Sequence, residues 1–298
     1  MDAVVRKMRW EDVPQVVDMW RETGLAEGTH TLHTWYRFDP DGFWVVATEE
    51  DEILGSCAVI NLNPRLSFVG LYAVKGTHRG RGLGPLVWKR AMERVGRRNA
   101  GLNSVPKHLR TYRDVAGFGN VASWATRICG GVPVFGGRPE EPEGVQIVQI
   151  RATLLPGLIN YDASIHGYDR SKIVTLTTSE DDSYSLAATR NGTGRVCGYG
   201  SIRRCVQGPL LVGPLYADRK DVARVLLHHL VEGYPGGGGL SETVTIAVIS
   251  CNSEAVGMVE GLGLKVTGEE VPRCYTKEQV HADFGRVFGQ HALNFSPF

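Results

Sequence analysis

The residues with the clearest capacity for chemistry lie in one short stretch, Arg79-Gly80-Arg81-Gly82-Leu83-Gly84. It follows an apolar, strand-like run ending in Leu71-Tyr72-Ala73-Val74. It opens directly onto a helical repeat of Leu83, Leu86, Val87, Ala91 and Val95. Strand, glycine-rich turn and helix N-terminus in that order form an anion site. Backbone N–H groups point outward, the helix dipole favours negative charge, and missing β-carbons let a phosphate approach the chain. The 37 glycines would give about four or five Gly-x-Gly triplets by chance, so only this context lends the triplet weight. Gly192-Thr193-Gly194 and Gly198-Tyr199-Gly200 read as such chance triplets, in hairpin turns. Spacing excludes two phosphate loops. A Walker loop needs Gly-Lys-Ser/Thr where this chain has Leu83-Gly84-Pro85. A dinucleotide fingerprint needs Gly-x-Gly-x-x-Gly in a parallel βαβ unit, and the strands before Arg79 pattern as antiparallel.

The elements that must position this loop follow from periodicity. Strands are expected at Val4–Met8, Phe43–Thr48, Ile53–Leu62 and Ser67–Val74, the middle two joined by the acidic turn 49–52. Val13, Val16, Val17, Met19 and Trp20 form a helical stripe behind Glu11 and Asp12, and a second short helix ends near Asp39. Beyond the loop helix, a short strand at Leu102-Asn103 and a helix over His108–Ala116 are expected. Further strands are expected at Val132–Phe135 and Val145–Ile150. The pattern fades over 153–168, which is assigned to a linker. A second unit follows: a strand at Lys172–Leu176, a hairpin of Ser185–Ala188 with Arg195–Tyr199, and a strand at Pro209–Leu215. Then come a helix over Asp221–Glu232, a strand at Val244–Val248 and a helix from Ser253 to Leu262. The shared element order suggests an internal duplication. The expected fold is mixed α/β (α+β). It comprises two tandem domains, 1–152 and 169–298, each a mostly antiparallel twisted sheet flanked by helices.

The spacing Arg79-x-x-Gly82-x-Gly84, in this element order, resembles the acyl-CoA pyrophosphate loop of the GNAT superfamily of N-acetyltransferases. The first unit ends like that family too, with Tyr112-Arg113-Asp114-Val115-Ala116-Gly117-Phe118, although four residues separate Tyr112 from Gly117 where three are usual. Asp41-Gly42-Phe43, Asn99–Asn103 and Gly213-Pro214-Leu215-Tyr216-Ala217 are similar to the tandem-domain YitH/HolE-type branch. The resemblance implies an acyl-CoA-dependent N-acyltransferase, with acetyl-CoA or another acyl-CoA as cofactor and no metal, acting on the amine of a small molecule. Two other readings stay open: a non-catalytic acyl-CoA-binding or interaction protein, and a protein or peptide N-acetyltransferase.

On that resemblance Tyr72, Ala73 and Val74 would hold the pantetheine arm as an added strand, and Arg79, Gly80, Arg81, Gly82, Leu83 and Gly84 the pyrophosphate. Tyr112 would be the catalytic acid, its phenol protonating the departing thiolate after the amine attacks the thioester. Asn103 would bond the pantetheine or a water. A backbone N–H near Val74 would serve the oxyanion, worth about 3 kcal/mol in such sites. Glu27, His30 and His33 are candidates for substrate contact or for the base. The second half lacks the loop motif: Asp218 and Asp221 would repel a pyrophosphate at its helix N-terminus. One active site per chain is therefore expected, with the second half completing the acceptor pocket or supporting the first. Adjacent His228 and His229 read as structural, and Asn252 as a helix cap.

Composition bounds the rest. With 33 basic and 32 acidic residues, no net field argues for nucleic acid or membrane. The six cysteines are scattered without a Cys-x-x-Cys pair, so neither zinc nor a disulfide framework is expected. No run approaches the roughly 18 apolar residues of a membrane span, and the first residues carry no apolar signal core. The expectation is a cytoplasmic monomer or homodimer, with the Asn191 and Asn294 sequons arising by chance.

Overall fold

The computed structural model describes residues 3–296. The chain runs β1 (Ala3–Lys7), α1 (Val13–Thr23), α2 (Thr31–Phe38), β2 (Phe43–Thr48), β3 (Ile53–Asn63), β4 (Leu66–Val74), α3 (Leu83–Glu93), β5 (Asn99–Asn103), β6 (Asn120–Gly131) and β7 (Val145–Gln149). It continues through α4 (Leu155–His166), α5 (Ser171–Thr178), β8 (Ser183–Arg190), β9 (Val196–Arg204), β10 (Leu210–Ala217), α6 (Lys220–Gly233), β11 (Val244–Ile249), α7 (Ser253–Gly261), β12 (Lys265–Val266), β13 (Val271–Tyr275) and β14 (Val287–Gly289).

All these strands join one twisted sheet, in the order β1-β2-β3-β4-β5-β13-β6-β11-β10-β9-β8-β7, with β12 on β6 and β14 on β10. The halves exchange strands where they meet. β13, from late in the chain, pairs with both β5 and β6, while β6 pairs with β11. The sheet is antiparallel except at β4–β5 and β10–β11, which occupy matching places in the two halves. Apolar clusters cover both faces. In the first half one gathers Trp20, Trp35, Phe68 and Phe295, and the other Val59, Val87, Ala91 and Phe118.

Several expectations are corrected. Lys172–Leu176 belongs to helix α5, where Ile173, Val174 and Thr177 turn one buried stripe inward. A β-branched run had masked a helical period. The stretch 153–168 contains α4, with Leu158, Tyr161 and Ile165 buried; Asp162 and His166 are buried on the same face and broke its apolar pattern. Residues 132–135 form no strand, and β6 ends at Gly131. Gly198 and Gly200 lie within β9, where added β-carbons would press on β10 and α6; Gly192 and Gly194 do sit in a turn.

Candidate active site

The site begins where a pairing ends. β4 and β5 run parallel from Leu66–Asn99 to Val69–Leu102 and then part, leaving residues 70–74 of β4 with no paired strand on that side among the described residues. At the same point β4 bulges. The register against β3 slips between Ser56 and Ala58, and Leu71 takes a left-handed φ of 52°. A branched residue does not hold that conformation without support. Ser56 supplies some, its hydroxyl donating to the Leu71 carbonyl at 2.9 Å. Beyond the bulge, Lys75 N–H donates to Leu54 O of β3 at 2.9 Å. Alternation along the strand therefore turns Val74 the other way, and its carbonyl accepts from Arg79 Nε at 3.2 Å.

The gap opens into a cavity of about 1060 Å³. Of the residues singled out in the sequence, Tyr72, Ala73, Val74, Arg79, Gly80, Gly82, Leu83, Gly84, Asn103 and Tyr112 line it, whereas Arg81 is exposed outside the lining. Gly80 and Gly82 have φ of 77° and 79°, and Gly82 starts α3 without a side-chain cap. The first N–H groups of α3 are left for whatever fills the loop. Gly84 is needed for another reason: a β-carbon there would collide with the Tyr72 hydroxyl. Among the described residues, no carboxylate lines the cavity, while His78, Arg79, Lys107 and His108 do.

One aromatic chain forms a wall. Tyr72 lies 5.5 Å from Trp88, and Trp88 lies 5.4 Å from Tyr112 between ring centroids. Burial pushes the Tyr72 phenol up to about 12 and raises that of Tyr112 as well. Both hold their protons at neutral pH. The expected helix over 108–116 is present with uneven winding: a 3-10 turn, Pro106–His108, runs on through Leu109 and Arg110 into a π-turn over Thr111–Val115, closed by Ala116 N–H to Thr111 O at 3.0 Å. That wide turn absorbs the additional residue between Tyr112 and Gly117, so the tyrosine still faces the cavity.

The other candidates fare differently. Asn103 lines the cavity with its side chain engaged: Oδ1 accepts from Arg273 Nε at 2.6 Å and Nδ2 donates to Leu293 O at 3.4 Å. Glu27 is fully buried and outside the lining. Its Oε1 accepts from the backbone N–H groups of Asn294 and Phe295 at 2.6 and 3.1 Å, and burial pushes its carboxyl up to about 7. His30 and His33 also lie outside the lining, 5.4 Å apart, with His33 against Trp10. Burial lowers the His33 pKa, with His30 adding to it. The structure does not bring these three to the gap.

Trp88, Thr23, Lys107, His108 and Asn294 were missed as lining. Trp88 was readable, one position beyond Val87 on the loop helix. Asn294 was not, since no local pattern carries a residue almost two hundred positions beyond β5 into the first half.

The second half provides an internal control. β10 and β11 pair in parallel over Leu210–Val212 and Val244–Ile246 and then part as β4 and β5 do. Here β14 fills the gap, pairing Leu215 with Gly289 and Tyr216 with Val287, while Gln290 N–H reaches Ala247 O at 2.8 Å. At the start of α6 Asp221 takes its neighbour Arg219 and the Val222 N–H at 2.8 Å. Asn252 caps α7, accepting from Ala255 N–H at 3.0 Å, and its amide holds the chain just before β14. His228 is buried against Phe135, and among the described residues no His, Cys, Asp and Glu cluster could hold a metal ion.

Two family models match the chain. The GNAT family acetyltransferase model covers residues 6–118, and a second GNAT-domain acetyltransferase model covers 158–289. Similar solved structures extend over almost the whole chain. A candidate acetyltransferase from Pyrococcus horikoshii superposes with a TM-score of 0.73 at 17% identity, covering 96% of this chain and 93% of that one. A tandem GNAT protein from the clavulanic acid biosynthesis pathway gives 0.65 at 17% identity, covering 93% and 100%. A GCN5-related N-acetyltransferase from Sphaerobacter thermophilus gives 0.58 at 14%, covering 94% and 98%. No curated protein matches.

Proposed function

Because this chain belongs to the GNAT superfamily of acetyltransferases, with one such domain in each half, we propose that its first half transfers an acyl group from acyl-CoA, most simply acetyl-CoA, to the amine of a small molecule. The observation that carries this reading is the contrast between the two gaps. The first is open, with an uncapped helix N-terminus and glycine turn at one end, whereas β14 already occupies the second.

The open gap fits an acyl-CoA by its donors. The N–H groups of Gly80 to Gly84 and the Arg79 guanidinium would be available to a diphosphate, with no competing carboxylate in the lining among the described residues. The unpaired edge of β4 beyond Val69 offers backbone groups to an amide-bearing arm. When bound, the cofactor supplies a thioester whose acyl group an amine can take, releasing a thiol. The chain's residues do the rest. The Val74 N–H, turned into the gap, donates to developing negative charge. Tyr112, whose proton burial retains, holds it for the departing sulfur and regains one from the amine through water. Trp88 fixes the tyrosine's ring.

The test is thiol release from acetyl-CoA with a panel of primary amines, run on the protein and on Tyr112→Phe. The reading expects amine-dependent release and a loss of roughly 10²-fold or more in kcat in the variant, with CoA affinity unchanged. Tight CoA binding with no release for any amine would favour a binding protein instead, and undiminished kcat in Tyr112→Phe would remove the acid from the mechanism.

A further inference from the structure

Beside the glycine turn, the cavity lining includes the aliphatic side chains of Leu25, Val69, Leu71, Leu102 and Val105, with Lys107 and His108 following Val105. Two side-chain amides line the cavity: that of Asn103, engaged at both its oxygen and its nitrogen, and that of Asn294, which follows β14 by five residues. Asn294 is held unusually firmly for a residue near the end of a chain. Its backbone N–H donates to the buried Glu27 carboxylate at 2.6 Å, and the next N–H, of Phe295, joins it at 3.1 Å. Phe295 is buried between Trp35 and Phe68, at centroid distances of 4.7 and 5.4 Å. Asn294 O and the Phe295 ring press so closely on β4 that a β-carbon on Gly70 would lie 2.8 and 2.7 Å from them. This anchors Asn294 beside the Leu71 bulge.

The amide's orientation is also fixed. Nδ2 donates to Ala26 O at 2.6 Å, which settles which end is nitrogen and leaves Oδ1 with no hydrogen bond from the described residues. Leu293 and Phe295 are buried on either side, and Asn294 alone of the three is partly open, into the cavity. A free carbonyl oxygen accepts a hydrogen bond from an N–H, while a lining that holds Arg79 and Lys107 and no carboxylate among the described residues disfavours a second cationic group.

We propose that Asn294 is a specificity-determining contact for the acceptor, its Oδ1 receiving an N–H of the attacking amine, and that the aliphatic and cationic side chains of the lining select an amine carried on an apolar frame without a second charge. This rests on the acyl-transfer reading above. Glu27 then acts as a positioning residue, holding the Asn294 backbone rather than touching substrate.

A matched pair of probes tests it. Hexylamine and 1,6-diaminohexane differ only in the far ammonium group. With acetyl-CoA as donor, kcat/KM for hexylamine is expected to exceed that for the diamine at least tenfold. Calorimetric titration into the protein saturated with CoA should show hexylamine binding and the diamine binding at least tenfold more weakly. Asn294→Leu, or Asn294→Ala should leucine not fit, is expected to raise the hexylamine KM at least tenfold with the CoA dissociation constant unchanged. That unchanged constant also reports that the variant has folded. Equal use of the diamine overturns the substrate class, as does CoA binding with neither amine bound. An unmoved hexylamine KM in both variants overturns the role of Asn294. Failure of the protein to bind CoA at all would strike the acyl-transfer reading itself, and this proposal with it.

Discussion

At the scale of single residues, burial decides which candidates can act. Tyr112 and Tyr72 sit against the same tryptophan, and burial raises both phenols, so each remains a proton donor through the neutral range. Glu27 shows the same effect of burial on a carboxyl. Its carboxyl, with an ordinary value of 4.5, is pushed up to about 7 because desolvation outweighs the two backbone N–H groups it accepts. As pH rises from about 4.5 to about 7, an unfolded chain releases this proton while the folded one keeps it. The folded state therefore binds more protons in that window and loses stability as pH increases. Glu27→Gln retains an oxygen for both N–H groups and removes the titration. Its stability relative to the parent is expected to improve by about 3 kcal/mol between those limits and stay level above pH 7. Urea unfolding of both proteins at pH 4.5, 6 and 7.5 measures this, and a difference independent of pH would contradict it.

At the scale of elements, the legible parts were those whose chemistry is local. The glycine turn is readable because Gly80 and Gly82 satisfy left-handed backbone where they stand, and α3 follows with its stripe in order. The hairpin of β2 and β3 is readable as two apolar runs across an acidic turn, and both strands are buried along most of their length. What escaped reading was decided by distant partners. α4 carries Asp162 on its buried face because Arg170 and Tyr199 meet it there, at 3.2 and 2.5 Å, and a sequence window sees only a broken stripe. The additional residue before Gly117 looked like a misplaced tyrosine, since one residue turns a helix by about 100°, and a π-turn takes it up instead. Glu27, His30 and His33 were grouped by sequence proximity, yet α2 carries His33 to Trp10 and the Asn294 N–H captures the glutamate. The turn itself makes a sharp prediction. Gly82→Val places a branched residue at a φ of 79°, distorting the entrance to α3, and should weaken CoA at least tenfold by equilibrium titration with little change in Tm. Unaltered affinity would detach the loop from the cofactor.

For the molecule as a whole, a duplicated fold has been put to two uses by one short strand. Each half builds a parallel pair that parts, and each gap exposes strand edges that demand partners. In the second half β14 satisfies them from within the chain, and the residues after it run on to line the first gap through Asn294. The strand exchange of β13 and β6 joins the halves in one sheet. On the proposed reading, two family domains therefore make one site. The most direct measurement is calorimetric titration of CoA into the purified protein, reading the number of sites per chain. The account predicts one site, weakened by Gly82→Val. Two sites per chain, or a single site indifferent to that substitution, would contradict it.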